Sequence, residues 1–154
     1  MAMPQKISLD PNFRDFIGLM NSEGVRYLLL GGYAVNYHGH HRFTADIDFW
    51  IAIDPENARR VSAALQRFGF SPQTVQPEFF TEPGKIHMIG VKPVRVDLLT
   101  GPSGVEFEEC YGRRVVDTLD GVPVSIISLQ DLRRNKAASG RDKDLIDLKK
   151  LPEA

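Results

Sequence analysis

Cysteine is nearly missing from this chain. Cys110 stands alone among 154 residues, so no internal disulfide can form, and cysteine usage gives no sign of an oxidising compartment. Long hydrophobic runs are missing too. No apolar stretch approaches the roughly 20 residues that cross a bilayer, and the opening MAMPQKISLD lacks the apolar core of a signal segment. The expectation is a cytoplasmic protein with no membrane partner. An excess of one charge is the third absence: 19 lysines and arginines face 20 acidic residues, a formal net charge of -1. No global field therefore draws the chain to nucleic acid, and an RNA substrate needs a local basic patch. Internal repeats and low-complexity tracts are also absent. With 42% hydrophobic and 25% charged residues, the sequence predicts one globular domain over residues 1–154.

Periodicity places the elements. Asp10-Pro11 opens a helix in which Phe13, Phe16, Ile17 and Met20 recur three and four residues apart, and Gly24 stops it. Residues 26–30 form a short apolar strand running into Gly31-Gly32, from which 34–38 open a short helix. A strand over 45–53 follows. Asp54-Pro55-Glu56 then supplies a cap, a first-turn proline and a first-turn acid to a helix with Val61, Leu65 and Phe68 on its buried stripe. Residues 71–84, with three prolines, read as a loop holding a short edge strand. Strands over 85–91 and 94–99 meet at a tight turn, Lys92-Pro93, and strands over 115–119 and 122–126 flank Asp120-Gly121, a hairpin signal. From Ser128 the chain turns helical, broken at Gly140 and resumed with Leu145, Ile146, Leu148 and Leu151. The order predicts an α/β (α+β) fold, a mixed β-sheet flanked by helices.

The strand over 45–53 carries an anomaly. Side chains alternate faces along a strand, so Asp46, Asp48 and Trp50 point one way and Ile47, Phe49 and Ile51 the other. Aspartate is depleted in strands, and neighbouring like charges repel unless a cation neutralises them. A magnesium-like ion answers this, because hard cations take carboxylate oxygens. The other interpretation is an edge strand with solvated acids. Asp97 is likewise a lone acid among apolar neighbours, in Val94-Arg95-Val96-Asp97-Leu98-Leu99. If the two strands pair, three carboxylates converge and suit two-metal chemistry, with Asp97 also placed to take the acceptor's proton. Its alternative is an ion pair with Arg95 or another base. Trp50 either walls the site or packs against a helix, and packing is the expectation.

Gly31-Gly32 ends one strand and opens one helix, where free amides meet a phosphate and glycine admits close approach. The stretch LLLGGYAVNYHGHHRFTADIDFWI resembles the signature of the DNA polymerase beta superfamily of nucleotidyltransferases, with Gly31-Gly32, Asp46-Ile47-Asp48 and Asp97 on the matching positions. NKAASGRDKDLIDL is similar to the closing motif of the AbiEii-like, toxin-type branch, through Lys136, Arg141, Asp144 and Asp147. The resemblance implies a nucleotidyltransferase-like fold, use of a nucleoside triphosphate with two Mg2+ ions, and an acceptor that is an RNA end, a protein or a small molecule such as an aminoglycoside. It also implies a place in a toxin–antitoxin pair as one interpretation, and a non-catalytic nucleotide-binding role as another. Tyr33 stands where related enzymes have serine, so it joins the nucleotide-binding candidates with a different geometry.

Arg42 and Thr44 flank the strand entrance, where an arginine fork suits a triphosphate, or they form an exposed loop pair. Lys136 and Arg141 are triphosphate ligands or solvated helix charges. On either interpretation Lys136→Ala is expected to leave the melting temperature nearly unchanged. Asp144 and Asp147 share a helical face from which they can orient these bases. His38, His40 and His41 have no cysteine near them, and a surface or substrate-contact role is expected rather than zinc.

Overall fold

In the computed structural model, residues 8–91 and 94–153 are described. The turn expected at Lys92-Pro93 and most of the N-terminal segment lie outside them. Helix α1, Pro11–Ser22, begins where Asp10 accepts from the Asn12 amide at 2.8 Å, and it buries Phe13, Phe16, Ile17 and Met20. Strand β1, Tyr27–Leu30, is buried throughout. Helix α2, Gly31–Tyr37, starts directly on the first glycine, three residues earlier than expected. Gly31 permits this because its φ is +63°, which costs a side-chain-bearing residue strain. Strand β2 covers Ile47–Ile51, and helix α3, Pro55–Arg67, is capped by Asp54, which accepts from the Asn57 amide at 2.9 Å.

Residues 71–84 hold no strand. They form two 3-10 turns, Pro72–Thr74 and Pro77–Phe80. The prolines explain the correction: each fixes φ near a turn value and removes a ladder donor. Strands β3, Ile86–Val91, and β4, Val94–Leu99, follow as expected. Helix α4, Phe107–Gly112, was not expected. Its cap is Glu106, which accepts from the amides of Glu108 and Glu109, and glutamate is an uncommon capping residue. Strands β5, Val115–Leu119, and β6, Val122–Ile126, meet at Asp120 (φ 48°) and Gly121 (φ 83°), the paired left-handed geometry of a two-residue hairpin. Helix α5, Leu129–Ser139, ends in left-handed Gly140, and α6 covers Asp142–Lys150.

The sheet order is β3-β4-β2-β1-β6-β5. It is mixed: β1 runs parallel to β6 and antiparallel to β2, while β2 runs parallel to β4. Helix α1 covers the face that carries Phe49, where Phe16 and Tyr27 meet its ring at 5.9 and 5.5 Å. Trp50 belongs to the other face and packs edge-on against Phe107 of α4 at 5.2 Å. Helices therefore lie on both faces of the sheet, and α5 and α6 pack on each other. Among the described residues no helix is long and apolar enough to cross a membrane.

Asn57 ties α3 to the strands. Buried at 2% exposure, it accepts from the Arg26 amide at 2.7 Å and donates to the carbonyls of Arg26 (3.1 Å) and Ala52 (2.7 Å). Asn57→Ala leaves an amide and two carbonyls without these partners. We expect a loss of about 2–3 kcal/mol, read as a lower urea midpoint at unchanged slope. An unchanged midpoint would show that water replaces the amide.

Candidate active site

Parallel pairing of β2 with β4 puts Asp48 directly opposite Asp97. Neighbouring strands lie about 4.8 Å apart, and residues in register share a face. Asp46, one residue before β2, belongs to that same side. Three carboxylates therefore converge. On the other flank of β2, Leu30 is the register partner of Asp48, so the chain leaving β1 turns at Gly31 beside that carboxylate. A β-carbon at Gly31 would collide with the Asp48 carboxylate, and one at Gly32 would collide with the Thr44 side chain. Both glycines are thus required by packing, and Gly31 by its φ as well.

The electrostatics follow from this crowding. Burial raises the Asp48 carboxyl from its ordinary range, the charge and hydrogen bond of Asp97 raise it further, and Asp46 adds to both, bringing it to about 7. Arg95 sits two residues before Asp97 on the same face. Its Nη2 donates to Asp46 Oδ2 at 2.7 Å, and its Nε and Nη2 donate to Asp97 at 3.1 and 3.2 Å. The ion pair posed as the alternative for Asp97 therefore exists, alongside the convergence. Asp46 Oδ1 is buried with no hydrogen-bond partner. Among the described residues no three His, Cys, Asp or Glu side chains stand in ready-made ion-holding geometry. The donor set nevertheless suits a hard cation: one orphaned buried carboxylate oxygen, and one carboxyl held up by burial and by its like-charged neighbours.

A second charged cluster lies on the C-terminal helices. Lys136 is only 4% exposed, and its Nζ meets Asp144 Oδ1 and Asp147 Oδ2 at 3.0 Å each. Asp147 also accepts both arms of Arg42, at 2.8 and 2.9 Å, while Asp144 accepts from Arg141 Nε at 2.7 Å and Ser139 Oγ at 2.6 Å. Burial works to raise the Asp144 carboxyl, but these hydrogen bonds and that of Lys136 outweigh it and hold it at about 2. Asp147 is lowered in the same way, by Arg42 and Lys136 against burial. The expectation that losing Lys136 leaves stability unchanged is corrected: the side chain is not solvated, because two buried carboxylates claim its ammonium. Asp144 and Asp147 do orient Lys136, Arg141 and Arg42.

A cleft of about 640 Å³ opens over both clusters. Its walls include Gly31, Gly32, Arg42, Thr44, Asp46, Asp48, Asp97, Lys136 and Arg141. Tyr33 is not among them. It is turned toward α1, its ring edge-on to Phe13 at 5.9 Å, because the helical turn after Gly32 points residue 33 into the core. Thr44 spends its hydroxyl on the Asp46 carbonyl at 3.2 Å. His38 holds the Ile127 carbonyl at 2.7 Å, and His40 stands 3.9 Å from Asp147. Sequence reasoning missed the lip of the cleft: Phe43, Ile86 and Met88, all more than half exposed, with Lys85 and Lys143. Period-two alternation in β3 does place Ile86 and Met88 together, but only the sheet order shows that this face adjoins Asp97.

No family model matches the chain, and no curated protein matches it in sequence. Among solved structures it is similar to a candidate nucleotidyltransferase from Thermotoga maritima, at 16% identity and a TM-score of 0.58. The likeness covers 90% of this chain and 88% of that one. At such identity the likeness speaks for the fold: a mixed sheet flanked by helices in the nucleotidyltransferase-like arrangement. The toxin-type branch is not part of what it shows.

Lys136→Ala strips two buried carboxylates of a shared cation but leaves Arg42 and Arg141 in place. We expect a stability loss of about 2–4 kcal/mol in thermal or urea unfolding, and an unchanged melting temperature would refute the burial argument. Asp144 supplies a pH test. Its folded-state value of about 2 lies below the ordinary 3.8, so its contribution is complete above about pH 4 and disappears as pH falls toward 2. The stability gap between wild type and Asp144→Asn should therefore be widest near neutrality and shrink between pH 4 and 2. A gap that widens on acidification would contradict the assignment.

Proposed function

We propose that the protein is a metal-dependent nucleotidyltransferase that moves a nucleoside monophosphate from a nucleoside triphosphate to an acceptor hydroxyl. The observation that carries this is the register pairing of Asp48 with Asp97 beside a side-chain-free Gly31-Gly32 shelf. Asp46, Asp48 and Asp97 would hold two Mg2+ ions. Bound there, the ions supply neutralisation of charge on the triphosphate and on the attacking oxygen. Gly31 and Gly32 let backbone amides approach the phosphates. Arg42 and Arg141, oriented by Asp147 and Asp144, give the distal phosphates a fixed positive wall, with Lys136 behind them and Thr44 beside the glycines. Asp97 takes the proton as the acceptor oxygen bonds to the α-phosphorus, and the bond to pyrophosphate breaks. Positioning and charge placement carry the rate, since the protein forms no covalent bond of its own.

The cleft lip bears on the acceptor. Phe43, Ile86 and Met88 are apolar, Lys85 and Lys143 are basic, and among the described residues the only carboxylates lining the cleft are the three in the site. A polycationic aminoglycoside finds no anionic partner on such a lip. An RNA end or a protein segment, each able to bring apolar or aromatic groups, fits it better. The Lys136–Arg141–Asp144–Asp147 cluster supports a place beside toxin-type enzymes, with the protein working in the cytoplasm as a one-domain enzyme.

Each labelled nucleoside triphosphate with Mg2+ is to be incubated with total RNA and, separately, with the proteins encoded beside this one. Label on an acceptor with release of pyrophosphate is expected. Asp48→Asn should reduce transfer by roughly two orders of magnitude or more. The same variant should keep its circular dichroism spectrum and melt no lower without metal, because it relieves like-charge repulsion. Full transfer by the folded variant would refute the proposal.

A further inference from the structure

We infer that Arg95 is a built-in counter-ion of the carboxylate site, which holds divalent cations off until a nucleoside triphosphate accepts its guanidinium. The inference rests on the nucleotidyltransferase reading of the cleft. Arg95 spans the two strands that supply the acids, bonding Asp46 Oδ2 at 2.7 Å and the two Asp97 oxygens at 3.1 and 3.2 Å. The side chains of Arg95, Asp46 and Asp97 are 24%, 25% and 9% exposed, so water screens these pairs weakly. The guanidinium thus claims carboxylate oxygens of two residues that would hold a cation.

The other cleft cations differ in this respect. Arg42, Lys136 and Arg141 bond Asp144 and Asp147, which lie outside the carboxylate site. Their partners stay the same whether or not an ion binds. Arg95 alone among the described cleft bases is paired with the proposed metal ligands. Its hold is incomplete, because the second oxygen of Asp46 remains buried and unpartnered. A cation that took that oxygen together with the Asp97 carboxylate would compete with the guanidinium for Asp97.

Displacement leaves a rigid fork of donors on the cleft wall, and a phosphate oxygen pair is its natural partner. Nucleotide and cation then help each other. Arg95 competes with the cation when the nucleotide is absent, and it is drawn off the acids when phosphates arrive. By linkage the help is reciprocal. Cation and nucleotide load together, and the empty enzyme does not keep a tightly bound ion.

The test uses the full chain and Mn2+ as probe. Calorimetric titration without nucleotide should show Arg95→Gln binding Mn2+ at least about 10-fold tighter than wild type. At saturating Mn2+ the same variant should bind a non-hydrolysable nucleoside triphosphate about 10-fold more weakly. Lys149→Gln controls for net charge alone: Lys149 is exposed in the last turn of α6 and lies outside the cleft, so it should change either affinity by less than about 3-fold. If Arg95→Gln does not fold, Arg95→Lys keeps the charge, loses the fork, and should show both changes in smaller measure. Equal Mn2+ affinity in wild type and variant, or an equal effect of Lys149→Gln, would overturn the inference while nucleotide binding left the enzyme reading standing. Absence of both Mn2+ and nucleotide binding in wild type would overturn both.

Discussion

Pairing β2 with β4 in register costs electrostatic energy, and much of the molecule is arranged around that cost. Asp48 faces Asp97 across the pair, Asp46 sits at the mouth of the same strand, and burial removes the water that would otherwise separate their charges. The response is local: a carboxyl raised to about 7 and an arginine laid across the other two acids. A sheet edge would have avoided the expense. β2 is instead flanked by β1 and β4, which fixes the acids between two strands and forces the preceding chain to turn on glycine.

The position of that turn follows from the antiparallel pair β1–β2. Because Leu30 is the partner of Asp48, the residue after Leu30 must pass the carboxylate with no room for a β-carbon. One register therefore sets the face of the acids, the identity of Gly31 and the start of α2. A one-residue slip in β2 would turn Asp48 into the Phe16–Phe49 core and expose Phe49 to the cleft. The hydrophobic face that α1 covers thus defends the polar site on the opposite face.

Much of this was legible in the sequence because alternation and chain order are local signals. Asp46 and Asp48 share a face by period two, Asp97 stands out as a lone acid in a later apolar strand, and the glycines fall where a strand must become a helix. The capped starts of α1 and α3 and the Asp120-Gly121 hairpin were readable for the same reason. What was not legible depended on distant packing. Lys136 looks like any helix lysine until α6 brings Asp144 and Asp147 against it. Tyr33 follows two glycines of the site, yet the helical turn of 100° per residue carries its ring to Phe13. Helix α4 was missed because its cap is a glutamate, and the strand expected in 71–84 failed because prolines supply no ladder donors.

The two charged clusters of the cleft have opposite characters, and the difference is informative. Around Asp144 and Asp147 every carboxylate oxygen has a donor: Arg42, Lys136, Ser139 and Arg141 saturate two buried carboxylates, and both are held in their ionised form. A network so satisfied is rigid and resists rearrangement. Around Asp46, Asp48 and Asp97 the accounting is incomplete, with one orphaned oxygen and one carboxyl pushed toward its neutral form. Native proteins seldom leave buried polar groups unpaired without a reason. A rigid, saturated wall on one side and an unsatisfied one on the other is the arrangement expected of a site whose missing partners arrive with its substrate. On the proposed function, the saturated wall would keep its geometry while the unsatisfied one takes up its ions.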